Sequence, residues 1–368
     1  MPRLIAIALP CGPRFVHELE LAWGDGDAVF PIDPRLPDTA VKRLIKAMRP
    51  SIFVDHEGRK NRPDGSAVAD GDALIIATSG TTGEPKGAVL TTSAIEASAL
   101  ATSAALKVDP KKDHWLACLP VAHIGGLSVI SRAMVTNTPV EAIESPDPEL
   151  IAEALDEGVN LTALVPAALD RVDPKSFRKI LLGGSAIPTV RPRNTVATYG
   201  LTETGSGVVY DGKPLAGVEI EIVKDRIRVR GPMLCRGYRD GSPSLDEDGW
   251  LDTGDIGSFD DGILEVFGRA DDTIISGGEK VYPVTVERLL RAHPDISEVV
   301  VVGRPDETWG EAVTAVIELR ENATAPSLDD LRELVKTDLP AYAAPHSVEL
   351  TAGFERTSLG KVRRGNVS

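Results

Sequence analysis

Residues 78–87, which read Thr-Ser-Gly-Thr-Thr-Gly-Glu-Pro-Lys-Gly, constrain this chain more than any other stretch. They follow an apolar run at residues 73–77 that predicts a buried strand. Glycines adopt positive φ readily and let a backbone approach a ligand closely. Backbone N–H groups, hydroxyls and the ammonium of Lys86 all offer hydrogen bonds to an anion, so the predicted ligand is a polyphosphate. The alternative is a solvated turn. The glycines of this stretch are Gly80, Gly83 and Gly87.

This stretch is not a Walker A motif, which needs Gly-Lys-Ser/Thr after a four-residue spacer. Here Pro85 precedes Lys86 and Gly87 follows it, which excludes a P-loop motor or GTPase. The stretch instead resembles the phosphate loop of the acyl-adenylate-forming superfamily, which includes acyl- and aryl-CoA ligases, peptide-synthetase adenylation domains and luciferases. The resemblance implies these ATP-binding residues: Thr78, Ser79, Gly80, Thr81, Thr82, Gly83 and Lys86.

Composition narrows the class of protein. The chain has 368 residues, which leaves room for about two domains. Its net charge of −15 argues against binding to nucleic acid or to anionic membrane surfaces. No apolar run reaches the roughly 18–20 residues of a membrane span, and no basic segment with a cleavage site stands at the start. Three widely spaced cysteines indicate a reduced protein, so we expect a cytoplasmic location.

Alternating helical and strand patterns predict a layered α/β domain. Residues 91–107, rich in alanine and serine, predict a helix, so we expect the end of the phosphate loop near a helix N-terminus. In the superfamily the region before the loop is usually longer, which implies a truncated N-terminal part here. Earlier elements are predicted as a helix at 15–23, a strand at 28–34, a helix at 39–48 and a strand at 51–54.

The remaining patterns complete the predicted fold. Residues 215–267 alternate apolar and polar side chains, which predicts antiparallel strands of a distorted β-barrel. The predicted fold class is α/β: a large N-terminal domain of layered α/β subdomains plus the barrel, and a small α+β C-terminal lid domain. The resemblance implies an adenylation domain at residues 1–270 and a mobile lid at 271–368, with the hinge at Asp271.

A second motif, Pro-x-x-His-x-x-Gly, ends at Gly126 and contains His123. In the superfamily this segment lines the acyl pocket, which implies that His123 is a pocket wall or an orienting group. The alternative is an ordinary core or surface histidine. Arg132 follows nine residues later; a guanidinium beside an acyl pocket suits a second carboxylate on the substrate, whereas the alternative is the polar edge of a helix. The spacing resembles o-succinylbenzoate–CoA ligases of menaquinone synthesis, which implies substrate-binding residues His123, Gly126 and Arg132.

Two further segments carry nucleotide contacts by resemblance. Residues 161–166 and 180–182 predict parallel strands, and the second strand leads into a glycine turn that lies against adenine in the superfamily; a simple strand-to-helix turn is the alternative. Residues 198–205 match a further family motif, in which Tyr199 can stack on a base. In that motif Thr202 binds the α-phosphate and Glu203 supplies an oxygen to Mg²⁺. The other implied ATP-binding residues are Gly183, Gly184, Ser185 and Gly200.

The C-terminal third matches the family at five more positions. Asp255 corresponds to the aspartate that accepts from both ribose hydroxyls, although a turn-capping aspartate is the alternative. Arg269 is the implied contact to ribose and phosphate. Gly277 and Gly278 can present bare backbone to the pantetheine arm of CoA. Lys361 falls on the catalytic lysine, with Glu355 where proline is usual.

These matches imply an ATP-dependent carboxylate–CoA ligase that uses ATP, Mg²⁺ and coenzyme A, with Lys361, Thr202 and Glu203 as catalytic residues. Its partners are these small molecules and a carboxylic acid, for which o-succinylbenzoate is the specific expectation. Alternatives are an aryl- or medium-chain acyl-CoA ligase, a free-standing adenylating domain, or a nucleotide-binding regulator without turnover. A homodimer could cover surface that the short N-terminal part leaves exposed.

Overall fold

The computed structural model describes residues 1–79, 85–185, 187–188, 190–356 and 362–367. The chain divides into two compact units, the first made of Met1–Ile220 with Arg228–Asp252 and the second of Glu221–Ile227 with Thr253–Ser368. The domain boundary expected at residues 270 and 271 stays a prediction.

Strands and helices alternate through most of the first unit, and strands outnumber helices in the second. In chain order the strands are β1 (Leu4–Ile7), β2 (Ala28–Pro31), β3 (Ile52–Asp55), β4 (Gly58–Asn61), β5 (Asp72–Ser79), β6 (Pro85–Thr91), β7 (Trp115–Ala117), β8 (Val140–Ala142), β9 (Leu161–Leu164), β10 (Lys179–Leu182), β11 (Thr195–Leu201), β12 (Ser206–Tyr210), β13 (Lys213–Pro214), β14 (Glu219–Val223), β15 (Arg226–Arg230), β16 (Gly237–Tyr238), β17 (Leu251–Asp260), β18 (Ile263–Arg269), β19 (Ile274–Ser276), β20 (Glu279–Val281), β21 (Ile296–Asp306), β22 (Gly310–Leu319) and β23 (Ser347–Thr351). The α-helices are α1 (Pro13–Gly24), α2 (Asp38–Met48), α3 (Thr92–Leu106), α4 (Ile124–Thr136), α5 (Pro148–Asp156), α6 (Pro166–Leu169), α7 (Pro283–Leu290) and α8 (Leu328–Lys336).

The first sheet has the strand order β16-β6-β5-β2-β1-β3-β4. Strands β3, β1, β2 and β5 run parallel, and their side chains are largely buried because α1 and α2 supply apolar faces. The predicted helices and strands before residue 55 are confirmed. Strand β6 was not predicted, because Pro85 and Gly87 are typical of a loop. We expected the end of the phosphate loop to lie near a helix N-terminus, but β6 separates the loop from α3.

The second sheet has the order β13-β12-β11-β10-β9-β7-β8. The predicted parallel pairing of β9 with β10 is confirmed, and β11 continues the parallel arrangement. Helix α3 is fixed to β12 by two side-chain hydrogen bonds, Ser98 to Ser206 at 2.9 Å and Thr102 to Tyr210 at 3.0 Å. These bonds hold α3 against β12, the strand that follows the motif at residues 198–205. Helix α4 packs beside α3 and also contacts β12.

The expected β-barrel is not closed within the described residues. Strands β14, β15, β17 and β18 form an open four-stranded sheet in that order. The reason is that the other strands of residues 213–238 pair elsewhere: β13 pairs with β12, and β16 pairs with β6. Alternation along the sequence predicts strands but does not fix which sheet they join.

The second unit contains an α+β body. Its sheet has the order β20-β19-β22-β21, with β23 parallel to β22. Helices α7 and α8 cover this sheet through buried apolar side chains, which include Val286, Leu290, Leu331 and Val335. The α+β character predicted for the C-terminal part is thereby confirmed. Over the portion of the chain that the structure describes, no helix has the length and apolar character that crossing a membrane requires.

Candidate active site

The strands that flank the phosphate loop are described, whereas residues 80–84 and the side chain of Ser79 lie outside the description. Strands β5 and β6 pair antiparallel, with Thr78 opposite Lys86. The Thr78 hydroxyl donates to the Lys86 carbonyl at 3.4 Å. Gly87 does not have the positive φ expected of it: it lies in β6, where an added Cβ would stand 2.6 Å from side-chain atoms of Ile75 and of Met48. Close packing, rather than turn geometry, therefore requires this glycine.

Thr202 and Glu203 lie in a short 3₁₀-helix, Thr202–Thr204, directly after β11. The backbone carbonyl of Glu203 accepts from the N–H of Cys235 at 2.7 Å. Its carboxylate accepts from the hydroxyl of Tyr238 at 3.0 Å. The Lys86 ammonium lies 5.1 Å from the centroid of the same tyrosine ring. The structure thus brings the predicted phosphate-binding lysine and the predicted magnesium ligand to one aromatic side chain, which the sequence interpretation missed.

The chemistry of Glu203 fits magnesium. Mg²⁺ is usually held by one or two carboxylates plus phosphate oxygens and water. Among the described residues there is no cluster of three or more His, Cys, Asp or Glu side chains that could hold a metal by itself. A single carboxylate that shares Tyr238 with the predicted phosphate-binding lysine suits an ion that arrives with a nucleotide.

The residues predicted to contact adenine lie at the carboxyl ends of two neighbouring interior strands of the second sheet. Gly183, Gly184 and Ser185 follow β10, and Tyr199 and Gly200 end β11, a parallel neighbour. Ligands of open α/β sheets bind outside the carboxyl ends of such strands. Two of these glycines are needed for close approach. An added Cβ would stand 2.4 Å from Thr198 Oγ1 at the first glycine of the turn and 2.2 Å from the Ser206 carbonyl at Gly200.

His123 precedes α4 as its N-cap residue, without a side-chain cap hydrogen bond. Burial lowers the pKa of its imidazole, Asp33 opposes that effect, and Arg35 adds to it. Gly126, in the first turn of α4, allows close packing, because an added Cβ would lie 2.6 Å from the carbonyl oxygens of Leu119 and Pro120. The imidazole thus binds a proton less readily than a free histidine does, and the Asp33–Arg35 ion pair acts on its charge.

Arg132, in the middle of α4, is only 2% exposed, so the alternative of a polar helix edge is wrong. Its guanidinium lies 4.9 Å from the ring centroid of Trp115. Its Nε and Nη1 atoms are buried and have no hydrogen-bond partner among the described residues, and neither does Nε1 of Trp115. Burial lowers the pKa of Arg132, and Tyr210 is the ionisable group that faces it. A buried cation in this state is suited to receive an anion.

Helix α4 carried a signal for this burial. Apolar and small residues surround Arg132 on every face of the helix, and a helix that is apolar all round is a buried one. Trp115 and Tyr210 could not be assigned to the site from sequence, because strand pairing and helix packing, rather than local spacing, bring them to Arg132.

In the second unit, Asp255 and Arg269 are cross-strand neighbours in β17 and β18. Arg269 Nη1 lies 3.1 Å from Asp255 Oδ1 and donates to the Thr253 carbonyl at 3.0 Å. The two predicted ribose contacts therefore stand side by side, with the carboxylate buried. This pair offers both an acceptor and a donor to a sugar.

The predicted CoA-tunnel glycines are exposed and both have positive φ, +59° at Gly277 and +86° at Gly278. An added Cβ at the first would lie 3.0 Å from the ring of Trp309. Asp271 is exposed in a 3₁₀-helix, Ala270–Asp272. Lys361 lies outside the described residues.

The flanks of the lysine segment are nevertheless fixed to the second unit. Arg356 and Val362 form an antiparallel bridge. Arg364 forms an ion pair with the buried Glu287. The chain on either side of residues 357–361 is therefore held in place.

Two family descriptions match the chain. The family described as AMP-binding enzyme matches residues 56–239, and the one described as AMP-binding enzyme C-terminal domain matches residues 285–361. The chain therefore belongs to the family of AMP-binding enzymes.

Individual relatives narrow the comparison. The chain is similar to the probable 2-succinylbenzoate–CoA ligase of Mycobacterium tuberculosis strain H37Rv, with 37% identity over 330 residues that cover 82% of this chain and 85% of the relative. It is also similar to the o-succinylbenzoate CoA synthetase from Bacillus subtilis solved in complex with the acyl-adenylate intermediate OSB-AMP, with a TM-score of 0.85, 25% identity, and coverage of 99% of this chain and 88% of that one. The Bacillus enzyme solved with ATP and magnesium ion gives a TM-score of 0.84 at 26% identity, with coverage of 99% and 89%.

Proposed function

We propose that this chain is a 2-succinylbenzoate–CoA ligase that converts its substrate, ATP and CoA to 2-succinylbenzoyl-CoA, AMP and pyrophosphate. The relatives named above support the reaction. The observation that carries the substrate assignment is the buried guanidinium of Arg132, which lacks hydrogen-bond partners at two nitrogens among the described residues.

The first step activates the carboxylic acid. A carboxylate oxygen attacks the α-phosphorus of ATP, the bond from that phosphorus to the bridging oxygen breaks, and pyrophosphate leaves. Positioning and charge stabilisation account for most of such a step. Residues 78–83 and Lys86 hold the phosphates, and Glu203 with Thr202 faces the α-phosphate. Magnesium, when bound, neutralises phosphate charge. Lys361 stabilises the negative charge that builds between the two reacting groups.

The second step transfers the acyl group. The thiol of CoA loses its proton, its sulfur attacks the acyl carbonyl carbon, and AMP leaves with the electron pair of the broken C–O bond. Asp255 and Arg269 hold the ribose, and Gly277 with Gly278 lines the path of the pantetheine arm. Rotation of a lid at residues 271–368 about Asp271 switches the enzyme from the first step to the second.

Arg132 selects a substrate with two carboxylates. One carboxylate of 2-succinylbenzoate is consumed in the reaction, and the other must be desolvated together with the acyl group. A buried carboxylate is tolerated when it meets a buried cation with suitable hydrogen bonds. Arg132 supplies this cation. It lies on α4, the helix for which His123 is the N-cap residue.

A panel of acids tests the proposal. Initial rates of ATP–pyrophosphate exchange, and then of CoA-dependent AMP release, are measured with 2-succinylbenzoate, 4-oxo-4-phenylbutanoate, benzoate and octanoate. The highest kcat/KM is expected with 2-succinylbenzoate, and 4-oxo-4-phenylbutanoate lacks only the ring carboxylate. A higher value for benzoate or octanoate would support the aryl- or medium-chain alternative. Exchange without CoA-dependent release would indicate a free-standing adenylating domain, and neither activity would indicate a regulator.

Two finer points belong to the same proposal. We place the reaction in the cytoplasm, where ATP and CoA are both available. A homodimer stays a prediction, which light scattering of the purified chain tests.

A further inference from the structure

Tyr238 contacts the two predicted phosphate-side residues at once. Its hydroxyl donates to Glu203 Oε1 at 3.0 Å. The ammonium of Lys86 lies over its ring, 5.1 Å from the centroid. Within the described part of the chain Lys86 forms no ion pair at 4.0 Å or less. One side chain therefore contacts both of these charged groups, the carboxylate through its hydroxyl and the ammonium through its ring.

The backbone around Tyr238 ties it to both partners. In β16 it pairs with Ala88 of β6, the strand that carries Lys86. The next residue, Arg239, donates its N–H to the Gly87 carbonyl at 2.7 Å, and Cys235 donates to the Glu203 carbonyl at 2.7 Å. The tyrosine is thus fixed between the strand of the lysine and the 3₁₀-helix of the glutamate.

The phenol is a stable donor. A tyrosine phenol has an ordinary pKa of about 10, so the hydroxyl carries its proton at neutral pH and can donate. A hydrogen bond to a carboxylate is stronger than one between neutral groups. A cation over an aromatic face adds a second, independent attraction. Both contacts restrain long side chains that would otherwise sample many rotamers.

We propose that Tyr238 is a positioning residue that keeps Lys86 and Glu203 oriented toward a magnesium-bound nucleoside triphosphate. The hydroxyl orients the carboxylate for the metal, and the ring orients the ammonium for the phosphates. This inference rests on the phosphate and magnesium roles given to these two residues under the proposed function. It adds a residue that belongs to none of the matched sequence motifs described above.

Two variants separate the contacts. Tyr238→Phe keeps the ring beneath Lys86 and removes the hydroxyl from Glu203, whereas Tyr238→Leu removes both. Tyr342→Phe is the matched control, because that tyrosine is exposed in the second unit. ATP–pyrophosphate exchange is measured against Mg²⁺ concentration at saturating acid. For Tyr238→Phe we expect the half-saturating Mg²⁺ concentration to rise about 10-fold, the scale of one hydrogen bond to a charged group, with the KM for the acid unchanged.

Tyr238→Leu is expected to raise the KM for ATP as well, since the ammonium then loses its aromatic platform. Tyr342→Phe should match the wild type in every constant. A Tyr238→Phe enzyme with wild-type Mg²⁺ dependence would overturn the inference. An equal rise in the constants for Mg²⁺, ATP and acid would also overturn it, because that pattern indicates general damage to the fold.

Equilibrium binding of ATP with and without Mg²⁺ separates this inference from the proposed substrate. The measurement needs no acid, so it applies whichever carboxylic acid the enzyme uses. Tyr238→Phe should weaken binding in Mg²⁺ and leave binding in EDTA unchanged. A wild-type chain whose ATP affinity ignores Mg²⁺ would contradict the role of Tyr238 even if 2-succinylbenzoate proves to be the substrate.

Discussion

Two arginines of the first unit, Arg178 and Arg132, have opposite surroundings. Arg178 is 36% exposed, and its Nε and Nη2 atoms both lie 2.8 Å from the carboxylate of Asp113, which is 4% exposed. Arg132 is itself buried, and aromatic side chains rather than a carboxylate lie around its guanidinium.

The difference separates an arginine that stabilises the fold from one that we propose binds substrate. A third arginine, Arg236, repeats the first pattern, since it forms two hydrogen bonds with the buried Asp72 and reaches solvent itself. In both pairs the arginine satisfies a buried carboxylate and so contributes to folding. Arg132 does the reverse, because an unpaired buried cation costs free energy until an anion arrives. A buried arginine without a carboxylate partner therefore indicates a ligand site.

The largest expected effect is on stability, at the paired site. Asp113→Ala removes a buried carboxylate that also accepts from the Asp109 N–H, and we expect the free energy of unfolding to fall by about 3 kcal/mol. Urea denaturation followed by circular dichroism measures it. Asp64→Ala, at an exposed pair with Arg62, is the control and should cost less than about 1 kcal/mol. Equal losses in the two variants would contradict a stabilising role for the Asp113–Arg178 pair.

Arg132→Leu should not destabilise the chain. Leucine fills apolar space without a charge to desolvate, so we expect the free energy of unfolding to stay level or rise by about 1 kcal/mol. Arg178→Leu is the matched control and should lose about 2 kcal/mol, because it leaves the Asp113 carboxylate without its cation. The urea midpoints of both variants decide the point. A loss in Arg132→Leu as large as in Arg178→Leu would mean that Arg132 is structural.

Trp115→Phe tests the contact between the tryptophan ring and the Arg132 guanidinium. The smaller ring weakens the cation–π contact and removes a buried N–H, so kcat/KM for 2-succinylbenzoate should fall several-fold, or about 1 kcal/mol. The rate with 4-oxo-4-phenylbutanoate should change little. Trp23→Phe is the control, since that indole donates to the Ala73 carbonyl at 3.1 Å away from Arg132. The expectation fails if both tryptophan variants shift the two acids alike.

The smallest effect is a pH slope from His123. Burial lowers its pKa in the folded chain, below the value of about 6.5 in an unfolded one. The unfolded state then binds the proton more readily, so the free energy of unfolding should decrease as pH falls below about 6.5. His123→Gln should reduce this slope. The pKa of His346 is lowered too, so His346→Gln measures the contribution of the second unit, and an unchanged slope in His123→Gln would contradict the prediction.

Much of the fold followed from local patterns, and the exceptions have identifiable causes. The helices and strands predicted between residues 15 and 54 and the β9–β10 pair depend on apolar spacing, which sequence shows directly, whereas β1 was not predicted. Strand β6 was hidden because proline and glycine compose its start, yet partners on both sides, β5 and β16, hold it in the sheet. The prediction of a barrel was wrong because strand pairing over long sequence distances decides which sheet a strand joins.

The candidate site divides in the same way. Residues in contiguous motifs, such as Thr202 and Glu203, could be predicted from sequence through a family resemblance. Tyr238 could not, because its contact with Glu203 spans 35 residues of sequence. The surroundings of Arg132 likewise depend on α4 packing against β7 and β12. Sequence identifies the chemical groups, and tertiary packing decides which of them have partners.

The most direct test crosses Arg132 with the second carboxylate of the substrate. The kcat/KM for ATP–pyrophosphate exchange is measured for the wild type and Arg132→Leu, each with 2-succinylbenzoate and with 4-oxo-4-phenylbutanoate. If the guanidinium binds the ring carboxylate, the variant should lose at least about 30-fold more with the dicarboxylate than with the keto acid, a coupling of about 2 kcal/mol or more. Equal losses with both acids would contradict the account.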